Sequence, residues 1–279
     1  MCLYYKARPA TKRTAKPMAV TTVRNMLRTI SGFFRWLDEN ELAWELPKGA
    51  AKAWQFNRLR LMTDSERAAS AAGPATFSGD HLSTLFNYAT ERERRLIVIA
   101  LNCGFAQSEW CSLRWDEVQQ KGDDVTIKRI RRKTHVYGEF LLWPESIEAL
   151  DWFRKENKRM GATASPYVLL SKAGEPASEQ SIANAWASLR RRIISADSHF
   201  PKLSFKYLRK TAAQMVRDVS DGETAKVLLC HGSPVPEDEL LEMYSVRSFA
   251  KCDEALKRVR AHILPVLREH WPQLTTLDT

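Results

Sequence analysis

The chain has 279 residues, with 43 lysines and arginines against 33 aspartates and glutamates, a formal charge of +10. That length suffices for a sizeable core and for two domains. The charge points to a polyanionic partner, nucleic acid before an acidic membrane surface. The longest apolar run, Leu96 to Leu101, is too short to span a bilayer, and the N-terminus lacks a secretory apolar region. A soluble protein of the cell interior with no membrane partner is therefore expected. Cys2, Cys103, Cys111, Cys230 and Cys252 form no CxxC pair, and the histidines are scattered. Nothing has the spacing of a metal site, and without a glycine-rich phosphate loop neither a nucleotide nor another cofactor is expected.

In chain order, residues 1–17 come first, with five basic residues, two prolines and no acid. Lys6, Arg8, Lys12, Arg13 and Lys16 thus form a loose cationic arm able to lie along phosphates. Residues 18–62 contain an amphipathic helix: Val23, Met26, Leu27, Ile30, Phe33, Phe34 and Leu37 recur at helical spacing and predict a face packed on something. Residues 63–80, small and polar, read as a linker, and residues 81–279 as a second, larger domain. Within it "ERERRLIVIALNCGF" predicts a buried helix entered by a charged turn. "GDDVTIKRI" and "GEFLLWP" alternate like two short strands around "RRKTHVYG", which places Lys133 in or beside a hairpin turn next to Arg131 and Arg132. Helical patterns follow at about 145–158, 179–194, 205–219, 223–230 and 237–244. A last amphipathic stretch presents Leu256, Val259, Ile263 and Leu267 on one face, with Pro265 expected to kink or end it. The fold class expected is mainly α with a small β-hairpin or sheet.

The segment "SFKYLRKTAAQM" gathers Lys206, Arg209 and Lys210 beside apolar residues at helical spacing, with Lys206 and Arg209 projecting from one face. Taken alone, that is also how a solvated basic helix face looks. Tyr244 alone fits an amphipathic anchor, His231 a helix C-terminal residue followed by a glycine cap, and Lys133 an exposed hairpin cation.

Read in order, "GFAQSEWCSLRWDEV" (104–118), Lys133, "KYLR" (206–209), "LLCHGS" (228–233) and Tyr244 resemble the catalytic domain of the tyrosine recombinase, or phage integrase, family. The resemblance spans about residues 77–246. "TTVRNMLRTISGFFRWLDENELAWELP" is similar to the end of the helical core-binding domain that precedes it in the family, one or two helices short of full-length members.

The resemblance implies an intracellular, nucleoid-associated protein of DNA recombination and integration whose partner is double-stranded DNA. Tyr244 would be the nucleophile, forming a 3′-phosphotyrosine, and Lys133 the acid toward the leaving 5′-oxygen. Arg209 and Lys206 would hold the phosphate, with Lys206 standing where the family usually has histidine, and His231 would be a further catalytic residue. Arg131, Arg132 and Lys210 add DNA-binding charge. The segment after the tyrosine would link subunits on DNA, or else pack on its own domain. One position departs from the pattern: Ala106 stands where the first catalytic arginine belongs, and neither Gln107 nor Arg114 replaces it. A donor or arginine of that kind is worth about 10²- to 10⁵-fold in rate. The expected function is therefore DNA binding with cleavage weakened or lost. The reading that competes with it is a basic helical interaction protein without strand-transfer function.

Overall fold

A computed structural model describes residues 4–5, 7–10, 17–40, 45–46, 48–50, 61–71, 73, 75–231 and 249–272. The chain divides into two compact units, Met1–Pro74 and Ala75–Thr279. Tyr244, the helix expected at 237–244, Lys6, Lys12, Arg13 and Lys16 lie outside the described residues.

The first unit contains α1, Val20–Asn40, and α2, Asp64–Ala71. Only Val23, Leu27 and Ser31 of α1 are buried, and Met26 and Phe33, expected on the packed face, are exposed. The partners described for that face are few: Leu61, Tyr5, Met18 and Val20. Two sequence expectations are corrected here. The stretch 63–80 is not a linker throughout, because it holds α2 and then enters the core of the second unit at Phe77. Arg8 is not free to lie on phosphate. Its guanidinium grips both oxygens of Glu66 (2.5 and 2.7 Å) and donates to the Met18 and Leu61 carbonyls (2.8 and 2.9 Å). A bidentate pair held by two further carbonyls leaves little of the donor set unused.

The second unit opens with α3, Gly79–Tyr88, and α4, Glu91–Cys103. Thr90 and Glu93 close a reciprocal capping box at the start of α4, which satisfies donors that the first turn leaves orphaned. Beyond its charged first turn α4 is buried continuously from Leu96 to Cys103, so its sequence is apolar on all sides. Gly104 ends it in the left-handed region at φ 61°, a conformation that favours glycine. The short α5, Gln107–Cys111, follows.

The sheet has three antiparallel strands in chain order: β1 Val118–Lys121, β2 Asp124–Arg131 and β3 Val136–Leu141. The β2–β3 register pairs Ile127 with Phe140, Ile130 with Tyr137 and Arg131 with Val136. Val136, Gly138 and Phe140 face the core while the residues between them are half-buried, the period-two signature that made this hairpin legible. β1, "VQQK", is an edge strand with mostly exposed residues and no apolar alternation, and it was not predicted.

Helices α6 (Pro144–Arg159), α7 (Glu179–Ala196), α8 (Lys206–Val219) and α9 (Gly222–Leu228) complete the body, close to the expected spans. The last helix, α10, runs from Phe249 to Arg268 and continues through Pro265. Its buried face of Cys252, Ala255, Leu256, Val259, Ile263 and Leu267 offsets the one backbone hydrogen bond a proline removes. That face packs on its own domain: Trp143 donates to the Leu256 carbonyl (3.0 Å), and Trp271 donates to Glu148 (2.9 Å). The apolar stripe of this helix is thus buried in cis, the second of the two arrangements expected of it.

Arg260 of α10 grips the fully buried Glu145 at the start of α6 through Nε (3.0 Å) and Nη2 (2.9 Å). Removing one partner of a buried pair strands the other charge in a dry site, at a cost of about 3–5 kcal/mol. Arg260→Ala is therefore expected to lower Tm by about 10 °C in a unit of this size, and Glu145→Met/Arg260→Met to recover most of the loss, both read by calorimetry.

Candidate active site

The site grows from the ends of elements. Arg209, one turn into α8, is largely buried, and its two terminal nitrogens donate to carbonyls at two helix ends: Gly104 after α4 (2.6 Å) and Leu229 after α9 (2.5 Å). Helix C-termini present unpaired carbonyls and negative partial charge, which suits a cation. Burial lowers the Arg209 guanidinium from its ordinary value, Glu109 offsets this and Arg131 adds to it. An arginine so shifted still remains protonated at physiological pH.

Glu109 is the counter-charge. Its Oε1 accepts from Arg131 Nε at 2.7 Å and lies 3.9 Å from Arg209 Nη1. Its Oε2 accepts from the Ala106 backbone N–H (3.1 Å) and the Ser108 hydroxyl (3.2 Å). Burial pushes this carboxyl up, but the hydrogen bond from Arg131 and the charges of Arg209 and Arg131 outweigh it, leaving it below its ordinary value. Arg129 on β2 is buried behind the cluster, donating to the Glu109 carbonyl (2.8 Å) and the Ser112 hydroxyl (2.8 Å).

His231 follows α9. Its backbone N–H bonds the Lys226 carbonyl (2.9 Å), and Cys230 before it takes the left-handed region at φ 46°. The left-handed residue at this helix end is thus the cysteine, at a cost of roughly 1–3 kcal/mol for a non-glycine residue. Two contacts hold that turn against the hairpin. Thr134 donates to the Cys230 carbonyl (3.1 Å), and a Cβ on Gly138 would lie 2.4 Å from the Cys230 sulfur, so only glycine allows the approach. Burial pushes the Cys252 thiol up to about 12 and the half-buried Cys111 thiol up to about 11, which disfavours their thiolates.

Partial desolvation first, then the charges of Arg209, Arg131 and Lys133, hold His231 below its ordinary value of 6.5. These charges act on the His231 imidazole, and the hairpin that carries Arg131 and Lys133 is tied to the His231 turn by the Thr134 hydrogen bond. Lys133 and Arg132 are exposed in the hairpin turn. The Lys206 ammonium lies 5.9 Å from the Tyr207 ring centroid, and Lys210 sits over the same ring at 4.2 Å. Ala106 begins α5 beside Glu109 and supplies no charge. Arg114 points elsewhere, paired with Asp116 (2.9 Å). Sequence reasoning missed the roles of Glu109 and Arg129. The "SE" within "GFAQSEW" was the available signal for Glu109, whereas Arg129 looked like any outward residue of a strand.

The profile of the phage integrase family matches residues 76–235, more than half of the chain, and the chain belongs to that family as a tyrosine recombinase catalytic domain. No curated protein sequence matches it. The fold is similar to the Tn1549 transposon integrase in complex with transposon right end DNA (13% identity, TM-score 0.59, 92% of this chain and 82% of that one). It also resembles XerH site-specific recombinase in its pre-cleavage complex with difH substrate (15% identity, TM-score 0.57, 87% of this chain and 66% of that one). A third likeness is a lambda integrase tetramer bound to a Holliday junction (16% identity, TM-score 0.50, 78% of this chain and 61% of that one).

Two outcomes are expected. The His231 imidazole titrates below 6.5 by NMR, and Lys133→Gln raises that midpoint. Because the unfolded chain takes up this proton first, the stability contribution is complete above about pH 6.5 and is lost as pH falls through it; His231→Ala flattens that slope. Gly138→Ala displaces Cys230 and destabilises the fold, and Gly138→Ala/Cys230→Ala relieves part of that loss, which a double-mutant cycle of unfolding free energies measures.

Proposed function

We propose that this chain binds double-stranded DNA and breaks and rejoins it through a 3′-phosphotyrosine at Tyr244, with a rate lowered by Ala106. What supports this reading is that the charges of Arg209, Arg131 and Lys133, far from His231 in the chain, bear on its imidazole, while Arg131 and Arg209 approach one carboxylate oxygen of Glu109 and Thr134 of the hairpin bonds the turn that carries His231. Such a cluster carries more positive than negative charge and suits an anion more than a structural core.

The chemistry follows from the residue types. The Tyr244 phenol gives up its proton, its Oη forms a bond to phosphorus, and the bond from phosphorus to the 5′-oxygen breaks. Lys133 supplies the proton that the leaving 5′-oxygen needs. His231, kept neutral by its surroundings, is the base within the cluster for the phenol proton. Arg209 stabilises charge that grows on the non-bridging oxygens. Because the phosphotyrosyl bond conserves the phosphodiester, a second 5′-hydroxyl reverses the step without a nucleotide. The proposed setting is the cytoplasm at the nucleoid, and the proposed assembly is more than one copy on DNA, as in the lambda integrase tetramer.

Nicked or phosphorothiolate-bridged duplexes, resolved on denaturing gels, test the reading. A covalent adduct is expected that Tyr244→Phe abolishes and Ala106→Arg increases. Binding to the same duplexes is expected to weaken with salt at about 0.9 log units of affinity per log unit of salt for each phosphate neutralised. Salt-insensitive binding with no adduct from any variant would sink the proposal.

A further inference from the structure

The hairpin carries a second guanidinium into the site. Arg131 reaches from the end of β2 to Glu109 Oε1 (2.7 Å), the oxygen that Arg209 approaches at 3.9 Å, so the two guanidiniums are neighbours across one carboxylate. The other oxygen of Glu109 is held by the backbone of Ala106 and by Ser108. Residue 106 therefore starts beside Glu109 but ends at its Cβ, and the charge at this carboxylate arrives from Arg131 instead.

The two arginines are used differently. Arg209 commits both terminal nitrogens to the Gly104 and Leu229 carbonyls. Arg131 spends only Nε among the described residues and keeps 13% of its side chain exposed, so its terminal nitrogens are available. Arg131 borders a cavity of about 310 Å³ that Arg129, Arg132 and Lys133 also line, with Glu109 and Glu179 as its acids. Arg129 already has Glu117 (3.5 Å), whereas Lys133 has no ion pair among the described residues. Glu109 thus faces two guanidiniums beside a free ammonium, a local surplus that an anion would neutralise.

We propose that Arg131 and Arg209 together form the phosphate pocket of this site, and that Arg131 is a catalytic residue supplying the guanidinium that position 106 lacks. This rests on the reading that the site handles a DNA phosphodiester. The arrangement is mechanically plausible for a strand residue, because Thr134 and Gly138 fasten the same hairpin to the turn that carries His231. An arginine at the end of a pinned strand is held in place better than one on a free loop.

Inorganic phosphate titrated into the full chain tests the pocket without requiring cleavage. The side-chain Nε–H resonances of Arg131 and Arg209 should shift with one common Kd. Arg131→Gln should weaken that Kd about tenfold, and Arg131→Lys, which keeps the charge and the Glu109 partner, should weaken it less. Thermal melts of both variants report folding. An Arg131 resonance that ignores phosphate, or an unchanged Kd at Arg209 in Arg131→Gln, overturns the proposal.

The adduct assay supplies the second arm. Arg131→Gln should lower the rate of the Tyr244-dependent adduct by about 10²-fold or more with duplex affinity nearly unchanged. Ala106→Arg should then restore about tenfold in the Arg131→Gln background but add only about threefold to the wild-type chain, as expected when two groups serve one role. On a duplex with a neutral methylphosphonate at the scissile position the Arg131→Gln loss should nearly vanish, which a purely structural role would not produce. Adducts indifferent to Arg131→Gln refute the assignment and leave the cleavage reading intact. Phosphate bound by both arginines with no adduct from any variant upholds the pocket and refutes the cleavage reading.

Discussion

The Glu109 carboxylate is the interaction on which the site depends. Two buried guanidiniums so close together would repel strongly in a medium of low effective dielectric. One carboxylate, buried at 7% exposure, lies between them and makes the arrangement tolerable. Glu109 also bonds the first backbone N–H of its own short helix, so the same side chain starts α5 and anchors β2 and α8. Three elements are registered by one charge, and the net balance around it stays positive.

Arg209 shows how a cation is built into a scaffold. The ends of α4 and α9 both aim carbonyls at it, and the left-handed turn at Gly104 exposes the first of these. The hydrogen bonds fix the guanidinium plane before any ligand arrives, which is the preorganisation that electrostatic catalysis requires. The hairpin is held to the His231 turn by the close approach of Gly138 to Cys230 and by Thr134. The strand end that carries Arg131 and the turn that carries His231 are thus fastened to one another.

The second unit is also closed at its C-terminal end. α10 lays its apolar face against the body, adds the Arg260–Glu145 pair, and lets Trp271 pack edge-on against Phe86 (5.7 Å).

The sequence by itself determined much of this. Apolar periodicity marked α4, α6, α7, α8 and α10, alternation marked the β2–β3 hairpin, and the family resemblance of "GFAQSEW", Lys133, "KYLR" and "LLCHGS" singled out Arg209, His231 and Ala106. These are local signals, carried by residues within a few turns of one another. Only the tertiary structure decided which charges meet. Arg8 looked like an arm residue, but Glu66, 58 positions away, claims it. Lys206 and Arg209 share a helix, yet one rests by Tyr207 and the other enters the carbonyl cradle. Arg131 was expected to add DNA-binding charge, and the fold pairs it with Glu109, 22 residues away. Side-chain pairing across elements depends on how the chain packs in three dimensions, and spacing along the chain carries no record of it.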